Sequence, residues 1–121
     1  MKKTKIIFNK DNIIIFEKSN ISKFWHEEIV GIFCEHPYLM IVSVNKNKKL
    51  IFHSLKEIAQ VLPFPFVMCS RSSIVNLTYI NQVKSINSKC FIILNNRQEI
   101  SVSRRKKNDI MEKIKKISTA L

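Results

Sequence analysis

Two segments in the second half of the chain place arginine among small hydroxyl residues. The first is VMCSRSSIVNLTYI at 67–80, where Ser70 and Ser72 flank Arg71, and the second is ISVSRRKK at 100–107. An arginine guanidinium offers a planar fork of donors that suits phosphates and guanine edges, and a serine hydroxyl adds a short, adaptable hydrogen bond. These residue types therefore indicate contact with nucleic acid.

The net charge indicates the same class of partner. The 121 residues include 21 Lys+Arg and 9 Asp+Glu, a formal charge of +12, and most of the excess lies in residues 61–121. Strongly basic chains bind polyanions, most often nucleic acid and less often an anionic membrane surface. A lysine-rich solvated surface is the alternative interpretation.

Length, composition and cysteine content indicate one domain inside the cell. The chain has 45% hydrophobic residues, which is enough for a packed core. Its three cysteines are widely spaced without a CxxC pair, which is typical of reduced thiols in the cytoplasm rather than of a disulfide framework. The apolar run at 6–8 is too short for a signal peptide, and no stretch is long enough to cross a membrane. We therefore expect a single domain over residues 1–121, located in the cytoplasm and without membrane contact.

The patterns of common catalytic and ligand-binding sites are missing. One glycine cannot build a Gly-rich phosphate loop, the three histidines form no HExxH, and no G-x-S-x-G is present. Cys34–Glu35–His36 supplies too few ligands for a tetrahedral metal site. We predict no enzymatic activity, no catalytic residues, no cofactor and no metal. Cys69, close to Arg71, has two interpretations: a redox-sensitive thiol with a lowered pKa or, as we favour, a buried small apolar residue.

Most of the chain has the pattern of short β-strands. Runs of β-branched and aromatic residues, separated by Asn, Lys, Asp and Ser, predict strands. The predicted strands are residues 5–8, 12–16, 29–34, 38–44, 49–53, 67–69, 80–86, 91–94 and 99–102. Asn95–Asn96 predicts a tight hairpin before the last strand, because Asn tolerates left-handed backbone. Within that strand, alternation directs Ser101 and Ser103 towards solvent or a ligand. Gly31, inside a strand, predicts a bulge or a close contact.

Two segments have helical patterns instead. Ser54 and Glu57 form a capping box in which the Ser54 hydroxyl accepts from the Glu57 N–H and the Glu57 carboxylate accepts from the Ser54 N–H, and Pro63 ends the helix that follows. From about Lys106 to the end, an apolar stripe has helical spacing and lysines fill much of the remaining surface. The stripe consists of Ile110, Ile114, Ile117 and Leu121. We favour a terminal helix whose stripe packs on the core, and a partner-binding helix is the alternative.

The order of these segments resembles the LytTR family of bacterial DNA-binding domains. The middle signature of that family is phenylalanine, two variable residues, His-Arg-Ser, two residues, Val-Asn and an ending such as Tyr-Ile. Here Ser70–Arg71–Ser72 and the residues at 75–80 occupy those places, and 101–105 match the later signature Pro-Val-Ser-Arg-Arg. The resemblance covers about residues 5–118. Ser70 replaces the signature histidine, and Asn95–Asn96 replaces the usual Asn-Gly type of hairpin.

The resemblance implies a fold and a function. The fold would be mostly β, an elongated antiparallel β-sandwich of small sheets with one short internal helix and a C-terminal helix. The function would be sequence-specific binding of double-stranded DNA by loops inserted into the major groove, as in a bacterial transcription regulator. Family members usually carry a receiver or membrane segment ahead of this domain. Since none is present in this sequence, we expect a stand-alone, response-regulator-like protein that is not switched through a receiver aspartate.

The same resemblance assigns site residues. By position, Arg71 and Arg104 would contact bases or nearby phosphates, and the loop from His36 to Tyr38 would be a third contact. Arg105, Lys106 and Lys107 would bind phosphates, which position the protein without specifying sequence. The full predicted DNA-binding set is Arg71, Arg104, Arg105, Ser70, Ser72, Tyr38, His36, Lys106 and Lys107. Asn76 is predicted to be structural, with its amide bound to the turn backbone.

Partners and competing functions follow from the same features. Binding would occur on repeated DNA half-sites, as a homodimer or as two monomers side by side. The main alternative is a non-catalytic protein-interaction module or antiregulator that binds a regulatory protein through the C-terminal stripe. A third hypothesis, single-stranded RNA binding, requires aromatic residues exposed on a sheet for stacking.

Overall fold

The computed structural model describes residues 2–45 and 47–120, with side chains described as far as residue 117. Within these residues the chain forms eleven strands and two α-helices, and short 3-10 turns connect some of them. The strands are β1 Lys5–Phe8, β2 Asn12–Phe16, β3 Ile21–Trp25, β4 Ile29–Glu35, β5 Tyr38–Ser43, β6 Lys48–Ile51, β7 Phe66–Ser70, β8 Ser73–Asn76, β9 Ile80–Ile86, β10 Lys89–Leu94 and β11 Glu99–Val102. The helices are α1 Leu55–Val61 and α2 Lys107–Ala120.

The strands form three antiparallel sheets. The N-terminal sheet has the order β1-β2-β3, the central sheet β6-β5-β4-β8-β7, and the C-terminal sheet β11-β10-β9. This confirms the predicted mostly β fold of small antiparallel sheets with one internal and one C-terminal helix. β3 and β8 were not predicted, and both complete sheets that were otherwise anticipated from the apolar runs.

The central sheet is covered on both faces, which creates two cores. Ile32, Ile41 and Ile74 point to one face, where they pack against the N-terminal sheet and α1. Residues that alternate with them, such as Phe33 and Val75, point to the other face, where they pack against the C-terminal sheet and α2. Full burial of such a side chain stabilises the fold by about 1.5–3 kcal/mol. The central sheet is therefore a rigid scaffold for the turns at its ends.

Gly31 lies where β4 approaches its neighbour β8. The β4–β5 register shifts between Ile29 and Gly31, which is the predicted bulge. A Cβ atom at Gly31 would lie 2.5 Å from Cζ of Phe33 and 2.7 Å from the carbonyl oxygen of Ile74. The absence of a side chain thus permits the β4–β8 pairing, and the prediction of a close contact is confirmed.

Helix α1 has half of the predicted capping box. The Ser54 hydroxyl accepts from the Glu57 N–H at 3.3 Å, as expected for an N-cap. The Ser54 N–H, however, donates to Nδ1 of His53 at 2.9 Å, and the Glu57 carboxylate pairs with Lys3 at 2.6 Å. This hydrogen bond and charge hold the pKa of Glu57 below its ordinary value. The reciprocal half of the predicted box is wrong because other partners occupy both of its groups.

Two hairpin turns connect the strands of the C-terminal sheet. β9 and β10 are joined by Asn87–Ser88, both at positive φ, which suits a two-residue turn. The β10–β11 connection runs through Asn95–Gln98, and its left-handed residue is Arg97 with φ 70. The predicted tight turn at Asn95–Asn96 is confirmed, because the Arg97 N–H donates to the Leu94 carbonyl at 2.8 Å across these two residues, but the left-handed residue is Arg97 and not an asparagine.

Helix α2 packs its apolar stripe on the second core. Ile110 is buried, and Ile114 and Ile117 pack against the same cluster. The fourth member of the predicted stripe, Leu121, lies outside the described residues. The favoured interpretation, a terminal helix docked on the core, is confirmed for the three described positions.

Candidate nucleic-acid interface

The Arg71 turn joins β7 to β8 and is fixed by serine hydroxyls. The Ser70 hydroxyl accepts from the Ser72 N–H at 3.2 Å and lies 3.1 Å from the Ser72 hydroxyl and 3.2 Å from that of Ser73. Arg71 and Ser72 are exposed at the tip. The Cys34 N–H donates to the Ser72 carbonyl at 2.9 Å, which ties the tip to β4. The backbone that carries Arg71 is consequently held on both sides.

The predicted third contact lies beside this tip. Glu35 and Tyr38 pair at the end of β4 and β5, so the connecting turn contains only His36 and Pro37, with a cis peptide between them. The Tyr38 ring packs edge-on against the ring of Phe52. His36, Tyr38 and Arg71 line one concavity, the Arg71 hollow. Its wall also includes Cys34, His53, Lys56 and Met68.

The second basic segment begins where β11 meets β7. The Ser103 N–H donates to the carbonyl of Cys69 at 2.8 Å, which brings the start of the basic segment next to the strand that carries Arg71. Arg104–Lys106 then forms a 3-10 turn that leads into α2. Lys106 lines a concavity, the Lys106 hollow, together with Lys56, Lys113 and Met68. Because Lys56 and Met68 line both hollows, the Arg71 and Lys106 hollows are continuous.

Arg104 faces a different part of the surface. It lines a concavity with Lys107, Ser88 and Lys89, beside the β9–β10 turn. Arg105 lies between Arg104 and Lys106 in the sequence, and it is exposed. The structure therefore brings His36, Tyr38, Arg71 and Lys106 to one surface and places Arg104 and Lys107 on the adjoining one.

Ser101 and Ser103 differ in environment despite their shared alternation. Ser101 is exposed, as predicted. The Ser103 hydroxyl oxygen is buried, with no hydrogen-bond partner among the described residues. The prediction that Ser103 faces solvent or a ligand is wrong, because its backbone is drawn against β7 through Cys69.

Cys69 is a core residue. It is fully buried in the second core, and this burial raises the pKa of its thiol to about 12, although the nearby Lys106 charge acts in the opposite direction. The alternative of a thiol with a lowered pKa is therefore wrong. Cys90 is also buried, Cys34 is exposed, and all three are free.

Asn76 ends β8, at the base of the hairpin whose tip carries Arg71. Its amide donates to the carbonyls of Ile29 at 2.9 Å and His26 at 3.4 Å. Its side-chain oxygen accepts from the N–H and the hydroxyl of Thr78 at 3.0 and 2.7 Å. All of these hydrogen-bond partners belong to the chain itself, and Asn76 is buried. The predicted structural role is therefore confirmed.

Sequence reasoning missed two lysines that line the Lys106 hollow. Lys56 lies in the first turn of α1, where a positive charge is unfavourable next to the helix dipole. This unfavourable position could have marked Lys56 in the sequence as a candidate site residue. Lys113 belongs to the lysine-rich face of α2 and pairs with Asp109 at 3.0 Å, so nothing in its sequence context distinguishes it.

Other kinds of site find no support in the described part of the chain. No three His, Cys, Asp or Glu side chains among residues 2–45 and 47–117 come together as metal ligands. No helix among the described residues has the length and apolarity needed to span a membrane.

Comparison with known proteins gives two findings. The family model of the LytTr DNA-binding domain matches residues 19–115. A solved LytTr DNA-binding domain from Bacillus cereus superposes with a TM-score of 0.74 at 17% sequence identity, covering 88% of this chain and 98% of that one. No curated protein matches.

Proposed function

We propose, from the premise that this chain belongs to the LytTR family of DNA-binding domains, that it binds duplex DNA by sequence through turns placed in the major groove. Membership of the family implies DNA binding and transcription regulation. The proposal adds which turns bind, which residues recognise bases, and how the protein is arranged on its site.

The observation that carries the proposal is the joining of the Arg71 turn to the His36–Pro37 turn. Phe33 of β4 pairs with Ser73 of β8, so the two hairpins are neighbours in the central sheet. Two strand spacings separate the hairpin axes, which places the tips about 10 Å apart. The major groove is about 12 Å wide and admits a two-stranded ribbon. One tip therefore fits the groove, and the neighbouring tip lies within reach of the flanking phosphates.

Arg71 is the residue we assign to base recognition. It is exposed at a tip whose backbone is held by Ser70 and by Cys34, so little backbone freedom has to be lost on binding. A bidentate arginine–guanine contact provides about 1–3 kcal/mol of discrimination. Ser70 and Ser72 are occupied by the turn, and we assign them to holding Arg71 and to phosphate contacts at the tip.

The remaining basic residues are assigned mainly to the backbone. Lys106 continues the surface of the Arg71 hollow, and Arg104, Arg105 and Lys107 extend it towards the β9–β10 turn. We assign Arg104 to a base or a phosphate in an adjoining part of the site, and the other three to phosphates. Such contacts supply affinity that decreases with salt and little sequence preference.

The protein would act in the cytoplasm as one domain over residues 1–121. It would occupy repeated half-sites, either as a homodimer or as two monomers side by side. The alternative function, binding of a regulatory protein through the C-terminal stripe, would require Ile110, Ile114 and Ile117 to leave the second core. No observation favours it.

The test begins with selection of binding sites from random duplexes. The protein is then titrated with a selected duplex and a scrambled one at about 150 mM salt, where non-specific contacts are partly screened. Arg71→Ala should lose about tenfold or more of the preference for the selected site. The matched control is Arg97→Ala, since Arg97 is also an exposed arginine at a hairpin tip.

Two results would contradict the proposal. Equal binding of wild type to both duplexes would exclude recognition by sequence. Full retention of the preference by Arg71→Ala, or equal losses in Arg71→Ala and Arg97→Ala, would exclude the role assigned to Arg71.

A further inference from the structure

The outward face of the N-terminal sheet is apolar and exposed. Ile13, Ile15 and Phe24 of this sheet point into the first core, so the residues that alternate with them point away from it. Ile7, Ile21 and Trp25 are 41%, 67% and 42% exposed. The outward residues are Lys5, Ile7, Ile14, Phe16, Ile21, Lys23 and Trp25, here called the outer face. None of these residues lines the Arg71 hollow, the Lys106 hollow or the concavity that Arg104 lines.

Two lysines lie within the outer face and not around it. Nζ of Lys23 is 4.1 Å from the ring centroid of Trp25, and Nζ of Lys5 is 5.2 Å from that of Phe16. Both distances are typical of cation–π contacts. Any molecule that covers the aromatic residues therefore also covers two positive charges, and burial of an unpaired charge is costly.

This placement of charge restricts what can cover the outer face. Lipid hydrocarbon would leave the amines of Lys5 and Lys23 unpaired in an apolar medium. A second copy of the chain would bring the same lysines together between two molecules of formal charge +12. Single-stranded nucleic acid binds by stacking bases on free aromatic faces, and here lysines occupy the ring faces of Phe16 and Trp25.

We propose that the outer face is a docking surface for an acidic, apolar segment of a partner protein. Carboxylates of the segment would neutralise Lys5 and Lys23, and its apolar side chains would cover Ile7, Ile14 and Ile21. Lys5 and Lys23 lie on the two edge strands, one outward position apart, which corresponds to on the order of 12 Å between their Cα atoms. Two acidic residues two turns apart on a helix, about 11 Å along its axis, match this spacing.

The Trp25 end of the outer face lies away from the proposed DNA-binding turns. Trp25 ends β3 shortly before β4 begins at Ile29, whereas the Arg71 turn contacts the other end of β4 near Cys34. The seven residues of β4 span roughly 20 Å. A partner at the Trp25 end would therefore leave the Arg71 turn free. Lys5 lies nearer to the Arg71 hollow, since the N–H of the preceding Thr4 donates to the carbonyl of Phe52, whose ring packs against Tyr38.

The test uses the only tryptophan of the chain as its reporter. A synthetic amphipathic helical peptide, with glutamates two turns apart and leucines between them, is titrated into the full chain. We expect saturable binding and a blue shift of Trp25 emission, because the ring leaves water. Peptides with lysine in place of glutamate, or with serine in place of leucine, should bind at least tenfold more weakly.

Variants locate the binding. Lys23→Glu should weaken binding of the glutamate peptide by about fivefold, the upper range for one exposed ion pair, and should strengthen binding of the lysine peptide. Ile21→Ser should weaken binding of both peptides, while its 67% exposure leaves the fold intact. Lys115→Glu is the matched control for net charge, and it should change neither affinity. None of these variants should alter DNA binding, so failure of this proposal is distinguishable from failure of the proposed function.

Several outcomes would overturn the proposal. Equal binding of the glutamate–serine peptide would mean that only long-range charge attraction is measured. A blue shift with anionic phosphatidylglycerol vesicles or oligothymidylate, but not with the glutamate–leucine peptide, would assign the face to lipid or to single-stranded nucleic acid. A blue shift that follows protein concentration alone would assign it to a second copy of the chain.

Discussion

Two hairpin tips in this protein expose an arginine, and their surroundings differ. Arg71 lies on a turn whose backbone is fixed by the Ser70 hydroxyl and tied to β4 through Cys34. Arg97 lies on a turn closed by its own backbone and by Asn96, whose side-chain oxygen accepts from the Gln98 N–H at 2.9 Å. The Arg71 tip belongs to the central sheet and lies beside the His36–Pro37 turn. The Arg97 tip ends a hairpin at the edge of the C-terminal sheet.

Exposure and residue type do not by themselves distinguish the two arginines. Both arginines are exposed and both follow polar residues in sequence. Only Arg71 shares a surface with His36, Tyr38 and, through Lys56, with Lys106. The proposed function rests on this clustering.

The largest effect is expected from Asn76→Ala, at the base of the Arg71 hairpin. This change removes hydrogen bonds to the buried Ile29 carbonyl and to the part-buried Thr78 N–H, and a buried group left unsatisfied costs about 1–3 kcal/mol. We expect the free energy of unfolding in urea to decrease by about 3 kcal/mol. Asn96→Ala removes the equivalent bond in the exposed Arg97 turn and should cost about 0.5 kcal/mol or less. Equal losses would show that the two hairpins are not supported differently.

A smaller effect is expected from Ser70→Ala, at the Arg71 tip itself. The lost acceptor for the Ser72 N–H should lower the free energy of unfolding by about 1 kcal/mol. Because the turn would then be less ordered before binding, the preference for the selected duplex should also decrease. Ser101→Ala, an exposed serine of β11, is the control and should change neither quantity. If Ser70→Ala kept the full preference for the selected duplex, a well-ordered turn would not be needed for DNA recognition.

Arg105→Ala should change affinity without changing sequence preference. If Arg105 binds one phosphate, the slope of log affinity against log salt becomes less negative by about 0.9. Selected and scrambled duplexes should lose affinity to the same extent. Arg97→Ala should leave the slope unchanged, and a smaller salt slope in that variant would place the Arg97 tip on the DNA as well.

The smallest effect concerns pH and the base of the Arg71 hairpin, where the His26 carbonyl accepts from Asn76. Burial lowers the pKa of His26 below its ordinary 6.5, and Asp11 opposes this only in part. The unfolded chain therefore binds more protons than the folded one below about pH 6.5, so stability is complete above this pH and decreases as the pH falls towards the folded pKa. Thermal unfolding at about pH 7.5 and 5.5 should show the decrease, and His26→Gln should reduce it.

Much of the fold was predictable from local sequence. β1, β2, β9 and β11 have the predicted bounds because their apolar runs end at turn-forming residues. β3 was missed because Lys23 lies between Ile21 and Trp25 on its outward face. Apolar and polar residues therefore do not alternate along this strand. β8 was missed because the Arg71–Ser72 turn contains no Gly, Pro or Asn to separate it from β7.

The site was predictable in residue type but not in arrangement. The two signatures contain Arg71 and Arg104, and the resemblance to a known family predicts DNA contact for both. Which basic residues share a surface depends on contacts between distant segments, such as the bond from Ser103 to Cys69 and the pairing of Phe33 with Ser73. No local pattern encodes these contacts. For the same reason, the position of Lys113 beside Lys106 became visible only in the folded chain.

Methylation interference tests the central claim most directly, because methylation of guanine N7 blocks the acceptor that an arginine uses in the major groove. The selected duplex, sparsely methylated with dimethyl sulfate, is partitioned into bound and free fractions with wild type, Arg71→Ala and Arg97→Ala. We predict that wild type and Arg97→Ala exclude the same methylated guanines from the bound fraction. Arg71→Ala should tolerate methylation at one of these guanines in each half-site. An unchanged interference pattern in Arg71→Ala would contradict the assignment of Arg71 to base recognition.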